Sequence, residues 1–158
     1  NPEFAMTAPL HVAEAAPFSW AAGGLNPLRL ARQLTPLQTH DLVTEGLPAS
    51  TARELLASFR QLDREALLRA VGISERTLQR ALAGNKPLDG NASDRTLRLA
   101  AVTELASEVL GNQDEAERWL AAPALALDQR RPIDLLQSSE GSDLVKALLI
   151  RIDHGVYA

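Results

Sequence analysis

The chain has 158 residues and a formal net charge of −4, a size that suits one domain or two small helical ones. Hydrophobic residues make up 46% of the sequence, enough for a core, whereas aromatic residues make up only 4%. No apolar stretch approaches the roughly 20 residues of a membrane-spanning helix, which excludes a transmembrane protein. The absence of cysteine excludes disulfides and thiolate sites, and it fits a reducing, cytoplasmic location without requiring one.

The charge is distributed unevenly along the chain. Residues 64–98 carry seven basic and four acidic side chains, whereas residues 99–158 carry five basic and ten acidic ones. The net acidity argues against a protein that coats nucleic acid over its whole surface, but it leaves room for a local basic patch.

The first part of the chain has no sustained hydrophobic period. Asn1–Met6 looks like a cloning remnant, and residues 7–34 contain three prolines and two glycines among many alanines. We therefore predict that residues 1–34 form a flexible N-terminal arm.

From Thr35 onward, capping residues and glycines predict one helix after another. The predicted N-caps are Thr35, Thr51, Asp63, Ser74, Ser93, Asn112 and Ser142, and the predicted terminators are Gly46, Gly72, Gly84, Gly111 and Gly155. The longest predicted helix is 94–110, and Pro132 is predicted to open a short turn through Leu136. In the last helix, Leu144, Leu148 and Ile152 are predicted to face the core, and Gly141 to supply a turn. Since no alternating strand pattern occurs, the predicted fold class is all-α.

Residues 63–84 have the pattern of a helix-turn-helix: a short helix, a turn at Gly72 and a second helix capped by Ser74. On the second helix, Arg76, Gln79 and Arg80 share one face, where arginine suits guanine edges and glutamine suits adenine edges. Ser74 and Thr77 are predicted to reach phosphates near the helix start. Three further basic residues, Lys86, Arg95 and Arg98, are predicted to flank them.

The predicted DNA-binding residues are therefore Ser74, Arg76, Thr77, Gln79, Arg80 and Lys86. The same face could equally be a solvated surface of a purely structural helix pair. Glu75, at the start of the second helix, would repel phosphate. Because one module of this size makes few base contacts, DNA binding predicts a homodimer.

Residues 106–158 contain an ordered set of short motifs. These are Leu110-Gly111, Trp119-Leu120 with Pro123, Pro132 with Leu135-Leu136, and Arg151-Ile152 followed by Gly155-Val156. In this order they resemble the toxin-binding domain of the Xre/MbcA/ParS-type antitoxins. The preceding helix-turn-helix resembles the Xre-like half of the same family, so the resemblance covers about residues 48–158. The predicted domains are the arm 1–34, a helix-turn-helix domain 35–98 and a small helical toxin-binding domain 99–158.

The resemblance implies an antitoxin of a type II toxin–antitoxin system. It implies that a RES-domain toxin, an enzyme that degrades NAD, is bound with its active-site cleft covered. It also implies repression of the antitoxin's own operon, and it leaves open whether operator binding requires the toxin. The predicted toxin-binding residues lie at the chain's end: Arg151, His154, Gly155, Val156, Tyr157 and Ala158.

Two other classes of function compete with this reading. An enzyme is disfavoured because His11, His40 and His154 are scattered and no phosphate loop, nucleophile elbow or metal-ligand spacing occurs. We accordingly predict no catalytic residue, metal or cofactor. A stand-alone helix-turn-helix regulator without a toxin partner would explain residues 63–98, but it would leave the C-terminal motifs without a role.

Overall fold

The computed structural model describes residues 27–155, and within that range the chain is helical with no extended strand. The helices are α1 (Pro27–Gln33), α2 (Pro36–Glu45), α3 (Ala49–Ala57), α4 (Arg64–Val71), α5 (Glu75–Ala83), α6 (Gly90–Leu110), α7 (Gln113–Ala121), α8 (Pro132–Leu135) and α9 (Ser139–Asp153). A 3-10 turn, Leu125–Leu127, lies between α7 and α8. The all-α prediction is confirmed. Residues 1–26 of the predicted arm, and Val156, Tyr157 and Ala158, lie outside the described residues.

Local sequence sets most of the helix ends. The side chains of four predicted caps accept a backbone N–H from the residue three positions on: Thr35, Asp63, Ser74 and Asn112. The predicted glycine terminators follow α2, α4, α5, α6 and α9. At these ends, the polar groups that a helix leaves without partners are satisfied within a few residues of the chain.

Two predicted serine caps are wrong because a better cap lies one turn earlier. Asp89 caps α6 and Ser138 caps α9, so Ser93 and Ser142 lie inside their helices and are buried. The Ser93 hydroxyl accepts the backbone N–H of Leu47 at 2.8 Å, which ties the loop after α2 to α6. Ser93, which the sequence predicts to be a cap, instead links the loop after α2 to α6 in the protein interior.

The predicted cap at Thr51 is also wrong. The carbonyl of Pro48 accepts the N–H of Ala52 at 3.1 Å, so α3 already begins at Ala49 and Thr51 lies buried in its first turn. Proline in this position brings a preset φ of −57° to the start of the helix.

The sequence predicted no helix before Thr35, yet Pro27–Gln33 forms α1. Pro27 occupies the first position, where its missing N–H costs nothing. Leu28 and Ala31, three residues apart, are buried against the core, and Arg32 forms an ion pair with Glu108 of α6. This apolar pattern is too short to be recognised within an alanine-rich segment. The helix is stabilised by packing against α6, which the sequence does not reveal.

The central element is α6, which packs against α1, α2, α4, α7 and α9. Its buried positions combine large side chains with small ones: Ala92, Ser93, Thr96, Leu97, Leu99, Ala100, Val102, Thr103 and Ala106. The hydroxyls of Thr96 and Thr103 donate to carbonyls four residues back at 2.7 and 2.8 Å, so no polar group of theirs is stranded. Because α6 runs continuously through residues 98 and 99, the predicted domain boundary falls within one helix.

The prediction that Gly141 supplies a turn is wrong, because Gly141 lies within the first turn of α9. A Cβ atom at this position would stand 2.0 Å from the carbonyl oxygen of Leu135 in α8. Only glycine allows α9 to approach α8 this closely.

A buried carboxyl group holds the loop that leads into the helix-turn-helix. Glu117 of α7 is fully buried, and its Oε1 accepts the backbone N–H groups of Arg60, Gln61 and Leu62 at 2.9, 2.6 and 3.1 Å. Its Oε2 accepts an N–H of the Gln113 side chain at 2.8 Å. One side chain of the C-terminal half thus satisfies three consecutive N–H groups directly before the cap of α4.

Replacing Glu117 with Ala is therefore expected to destabilise the fold by about 3 kcal/mol or more, since each stranded buried N–H costs about 1–3 kcal/mol. Urea unfolding followed by circular dichroism measures the change. Glu117→Gln, which keeps one acceptor oxygen, should recover part of the loss. Glu115→Ala, at an exposed position of the same helix, is the matched control. Equal stability of Glu117→Ala and wild type would show that Glu117 does not hold the loop.

Candidate DNA-binding and partner-binding surfaces

Helices α4 and α5 form the predicted helix-turn-helix. Gly72 ends α4 in the left-handed region, with a φ of +84°, and its N–H donates to the Leu68 carbonyl at 2.7 Å. Leu67, Val71 and Leu78 are buried, which fixes the two helices against each other and against the core. Leu68, Ile73 and Leu82 are partly buried against the same cluster.

Behind the turn, the half-buried Arg95 of α6 binds two backbone carbonyls. Its Nε donates to the Ala70 carbonyl at 2.9 Å and its Nη2 to the Arg69 carbonyl at 2.8 Å, so it caps the end of α4. Burial, followed by repulsion from Arg98, lowers the pKa of Arg95. Arg98 is likewise held, by Asp94 at 2.7 Å and by the Leu136 carbonyl. Both arginines hold neighbouring backbone in place, and their role as flanking phosphate contacts stays a prediction.

The predicted DNA-binding side chains lie on or directly after α5. Arg76, Gln79 and Arg80 are exposed along one face, and Lys86 is exposed just beyond the helix. Within the described part of the chain, no ion pair or hydrogen bond is formed by the side chains of Arg76, Arg80 or Lys86. These three cations are therefore available to a partner with negative charge.

Ser74 and Thr77 are occupied with each other at the start of α5. The Ser74 hydroxyl accepts the Thr77 backbone N–H and donates to the Thr77 hydroxyl, both at 3.0 Å. Both residues remain exposed. Thr77 can still turn its own hydroxyl proton outward to a phosphate.

Sequence reasoning missed a charged cluster at the same helix start. Arg64, the first residue of α4, holds the Glu75 carboxylate through two parallel bonds, Nε–Oε1 at 2.9 Å and Nη2–Oε2 at 3.0 Å. The Gln79 Nε2 donates to Oε2 of the same carboxylate at 3.1 Å. The Arg64 bonds, with that of Gln79, lower the pKa of Glu75 to about 2. Glu75 is thus a neutralised, oriented group and not the free repelling charge that the sequence suggested.

Arg64→Ala should raise the pKa of Glu75 from about 2 toward its ordinary value of 4.5, because the largest cause of the shift is removed. A carboxyl-carbon NMR titration measures both values. Since the folded-state pKa is depressed, the cluster's contribution to stability is present above pH 4.5 and is lost as the pH falls toward 2. A Glu75 midpoint near 4.5 in the wild type would contradict the bidentate pair.

The last helix carries the predicted partner-binding residues that the structure describes. Arg151 is exposed in the final turn of α9, and His154 is the exposed C-cap, with its backbone N–H bound to the Ile150 carbonyl at 3.1 Å. Gly155 follows with a φ of +77°, in the left-handed region.

Contrary to prediction, Leu144 does not face the core. The buried stripe of α9 consists of Gly141, Val145, Leu148 and Leu149, with Ile152 partly buried. Leu144 precedes Val145 by 100° around the helix and is 58% exposed. Together with Ala147 and with Ile150, which is 49% exposed, it forms an outward apolar stripe that continues to Arg151 and His154. We call these five residues the α9 stripe.

Two family models match the chain in the order that the structure presents. Residues 38–101 match the antitoxin Xre-like helix-turn-helix domain, and residues 105–155 match the antitoxin Xre/MbcA/ParS C-terminal toxin-binding domain. The chain belongs to the Xre/MbcA/ParS antitoxin family. In this antitoxin the two matched regions meet within α6, and the α9 stripe lies in the toxin-binding domain.

Named relatives agree with this assignment. The chain is 26% identical over 133 residues to a Prs ADP-ribosylating antitoxin of Sphingobium sp. (strain YBL2), covering 78% of this chain and 83% of the relative. It is 28% identical over 123 residues to antitoxin Xre of Pseudomonas putida, covering 75% and 72%, respectively. Antitoxin Xre of Yersinia enterocolitica is also 28% identical, over 129 residues, covering 72% and 87%. Within residues 27–155, no helix of the antitoxin is long and apolar enough to cross a bilayer.

Proposed function

We propose that this antitoxin neutralises an NAD-degrading RES-domain toxin by covering its active site, and that it represses its own operon through the helix-turn-helix. The observation that carries the proposal is the match of both halves to the antitoxin family, with an exposed apolar stripe in the toxin-binding half. In this proposal the chain acts by binding, in the cytoplasm and as a homodimer, and requires no cofactor or metal.

The α9 stripe and the chain end after it form the proposed toxin-binding surface. Exposed leucine and isoleucine side chains on one helix face are typical of a helix that docks into a groove. Beyond the helix, the proposed contacts continue through His154 and Gly155 to Val156, Tyr157 and Ala158. Arg151 suits acidic groups at the rim of the toxin's cleft.

Deleting residues 154–158 should abolish protection against the toxin while the fold persists, because α9 is anchored by Val145, Leu148 and Leu149. Co-expression of the truncated antitoxin with the toxin, with cellular NAD and growth followed, tests this. Leu37→Ser, on the exposed face of α2, is the matched surface control and should protect fully. Full protection by the truncated form would show that the chain end is not required, and would leave the rest of the α9 stripe or the surface of residues 94–122 as the inhibitory surface.

The same experiment separates two classes of toxin chemistry. The name of the Sphingobium relative refers to ADP-ribosylation of Prs, whereas a RES-domain toxin degrades NAD. Loss of NAD without a labelled protein supports the RES proposal. Transfer of an ADP-ribosyl group to a cellular protein supports the other chemistry. A stand-alone regulator would copurify with no enzyme from the neighbouring gene, and it would bind promoter DNA tightly on its own.

For DNA, the proposed contacts are Ser74, Arg76, Thr77, Gln79, Arg80 and Lys86. Arg76 and Arg80 are exposed cations on the face of α5 that would enter a major groove, as in other helix-turn-helix proteins. Two copies related by a two-fold axis would double the few base contacts that one module makes.

Arg80→Ala should weaken promoter binding by about 1–3 kcal/mol and relax the preference at one base pair. Lys86→Ala should weaken binding to all sequences alike and reduce the salt dependence. Gel-shift titrations at several salt concentrations, with the antitoxin alone and bound to its toxin, measure both effects. Unchanged binding in the Arg76→Ala, Arg80→Ala double variant would rule out α5 as the recognition helix.

A further inference from the structure

The Glu75 carboxylate fixes which hydrogen-bonding groups Gln79 offers to solvent. A carboxylate that is held by Arg64 has no proton to donate, so the 3.1 Å contact between Gln79 and Glu75 must be made by the amide nitrogen of Gln79. The two possible orientations of the Gln79 amide are thereby reduced to one. That orientation leaves the amide oxygen and one remaining N–H unused by Glu75.

One acceptor and one donor on the same amide match a single base edge. In the major groove, adenine presents an acceptor, N7, beside a donor, the N6 amino group. Guanine presents two acceptors, which would need a second free donor that Gln79 no longer has. Cytosine and thymine each present only one hydrogen-bonding group there.

We propose that Glu75 is a positioning residue for base recognition, which, anchored by Arg64, orients the amide of Gln79 for adenine. This inference rests on the proposed DNA binding and names the base that one position of the operator should contain. Glu75 sits between two cations along the chain, since Arg64 neutralises it from α4 and Arg76 follows it on α5, so it can lie near phosphates without a net repulsive charge.

If the cluster served only to stabilise the fold, Glu75→Ala would change the folding stability and leave the base preference unchanged. Arg64, Glu75 and Gln79 are all exposed, and exposed ion pairs add little to stability. Glu75→Ala should therefore lower the unfolding temperature only slightly at neutral pH, and its main effect should appear in base preference.

The test is selection from a randomised duplex DNA library by the full chain, alone and with its toxin, followed by binding titrations on the enriched site. Wild type should enrich adenine at one position of each half-site. Glu75→Ala and Gln79→Ala should each reduce the preference at that same position by at least about fivefold, the low end for a bidentate base contact. The double variant should lose no more than either single one. Affinity for DNA of scrambled sequence should not fall in Glu75→Ala.

Two further variants serve as the controls. Glu75→Gln keeps an acceptor oxygen for the Gln79 amide and should retain part of the preference. Glu65→Ala removes a comparable exposed ion pair, with Arg69 on α4, that does not contact Gln79, and it should behave as wild type.

The outcomes also distinguish this inference from the function on which it rests. If Gln79→Ala loses the preference but Glu75→Ala keeps it, Gln79 reads the base unaided and the positioning role is wrong. A Gln79-dependent preference for a base other than adenine overturns it equally. If wild type, free and with its toxin, enriches no sequence at all, the proposed sequence-specific DNA binding itself fails, and this inference fails with it.

Discussion

The three hydrogen bonds from the backbone of residues 60–62 to Glu117 are the constraint on which the helix-turn-helix depends. A loop with three successive N–H groups pointing inward would ordinarily need water or a helix to satisfy it. Here a single buried oxygen does so, and Asp63 then starts α4 at once. The carboxyl group belongs to α7, beyond α6, so a residue of the C-terminal half fixes the start of the first helix of the helix-turn-helix.

Ion pairs around the same junction repeat the link at the surface. Asp114 of α7 binds Arg60 at 2.9 Å, and Arg131 contacts Asp63 while Asp134 contacts Arg69. Each exposed pair adds little alone. Together with the packing of α8 against α4 and of α9 against α8, they connect the α9 stripe to the helix-turn-helix through direct contacts. The two proposed binding surfaces therefore lie on one continuous packed body.

Sequence reasoning succeeded where structure is decided locally. The caps at Thr35, Asp63 and Ser74, and the turn at Gly72, depend on residues within three or four positions of one another, so their spacing could be read directly. It failed where a polar residue is used at long range. Ser93 satisfies a backbone group 46 residues away, and Arg95 caps a helix 25 residues before it.

In the candidate site, too, the features set by local periodicity could be predicted and those set by tertiary packing could not. The exposed arginines of α5 and their shared face follow from helical periodicity alone, whereas the pairing of Arg64 with Glu75 requires the angle that the turn imposes. Leu144 was assigned to the core because a stripe of 144, 148 and 152 fits a helix as well as one of 145, 148 and 149. The packing of α9 against α6, together with its close approach to α8 at Gly141, selects the second stripe and leaves Leu144 outside.

Native-state hydrogen exchange of the backbone amides of Arg60, Gln61 and Leu62 tests the central claim most directly. If the buried Glu117 carboxyl group holds them, these loop amides should exchange only through global unfolding, with an opening free energy equal to that of the α6 amides of Val102 and Thr103. Exchange orders of magnitude faster than in α6, as in an ordinary exposed loop, would contradict the account.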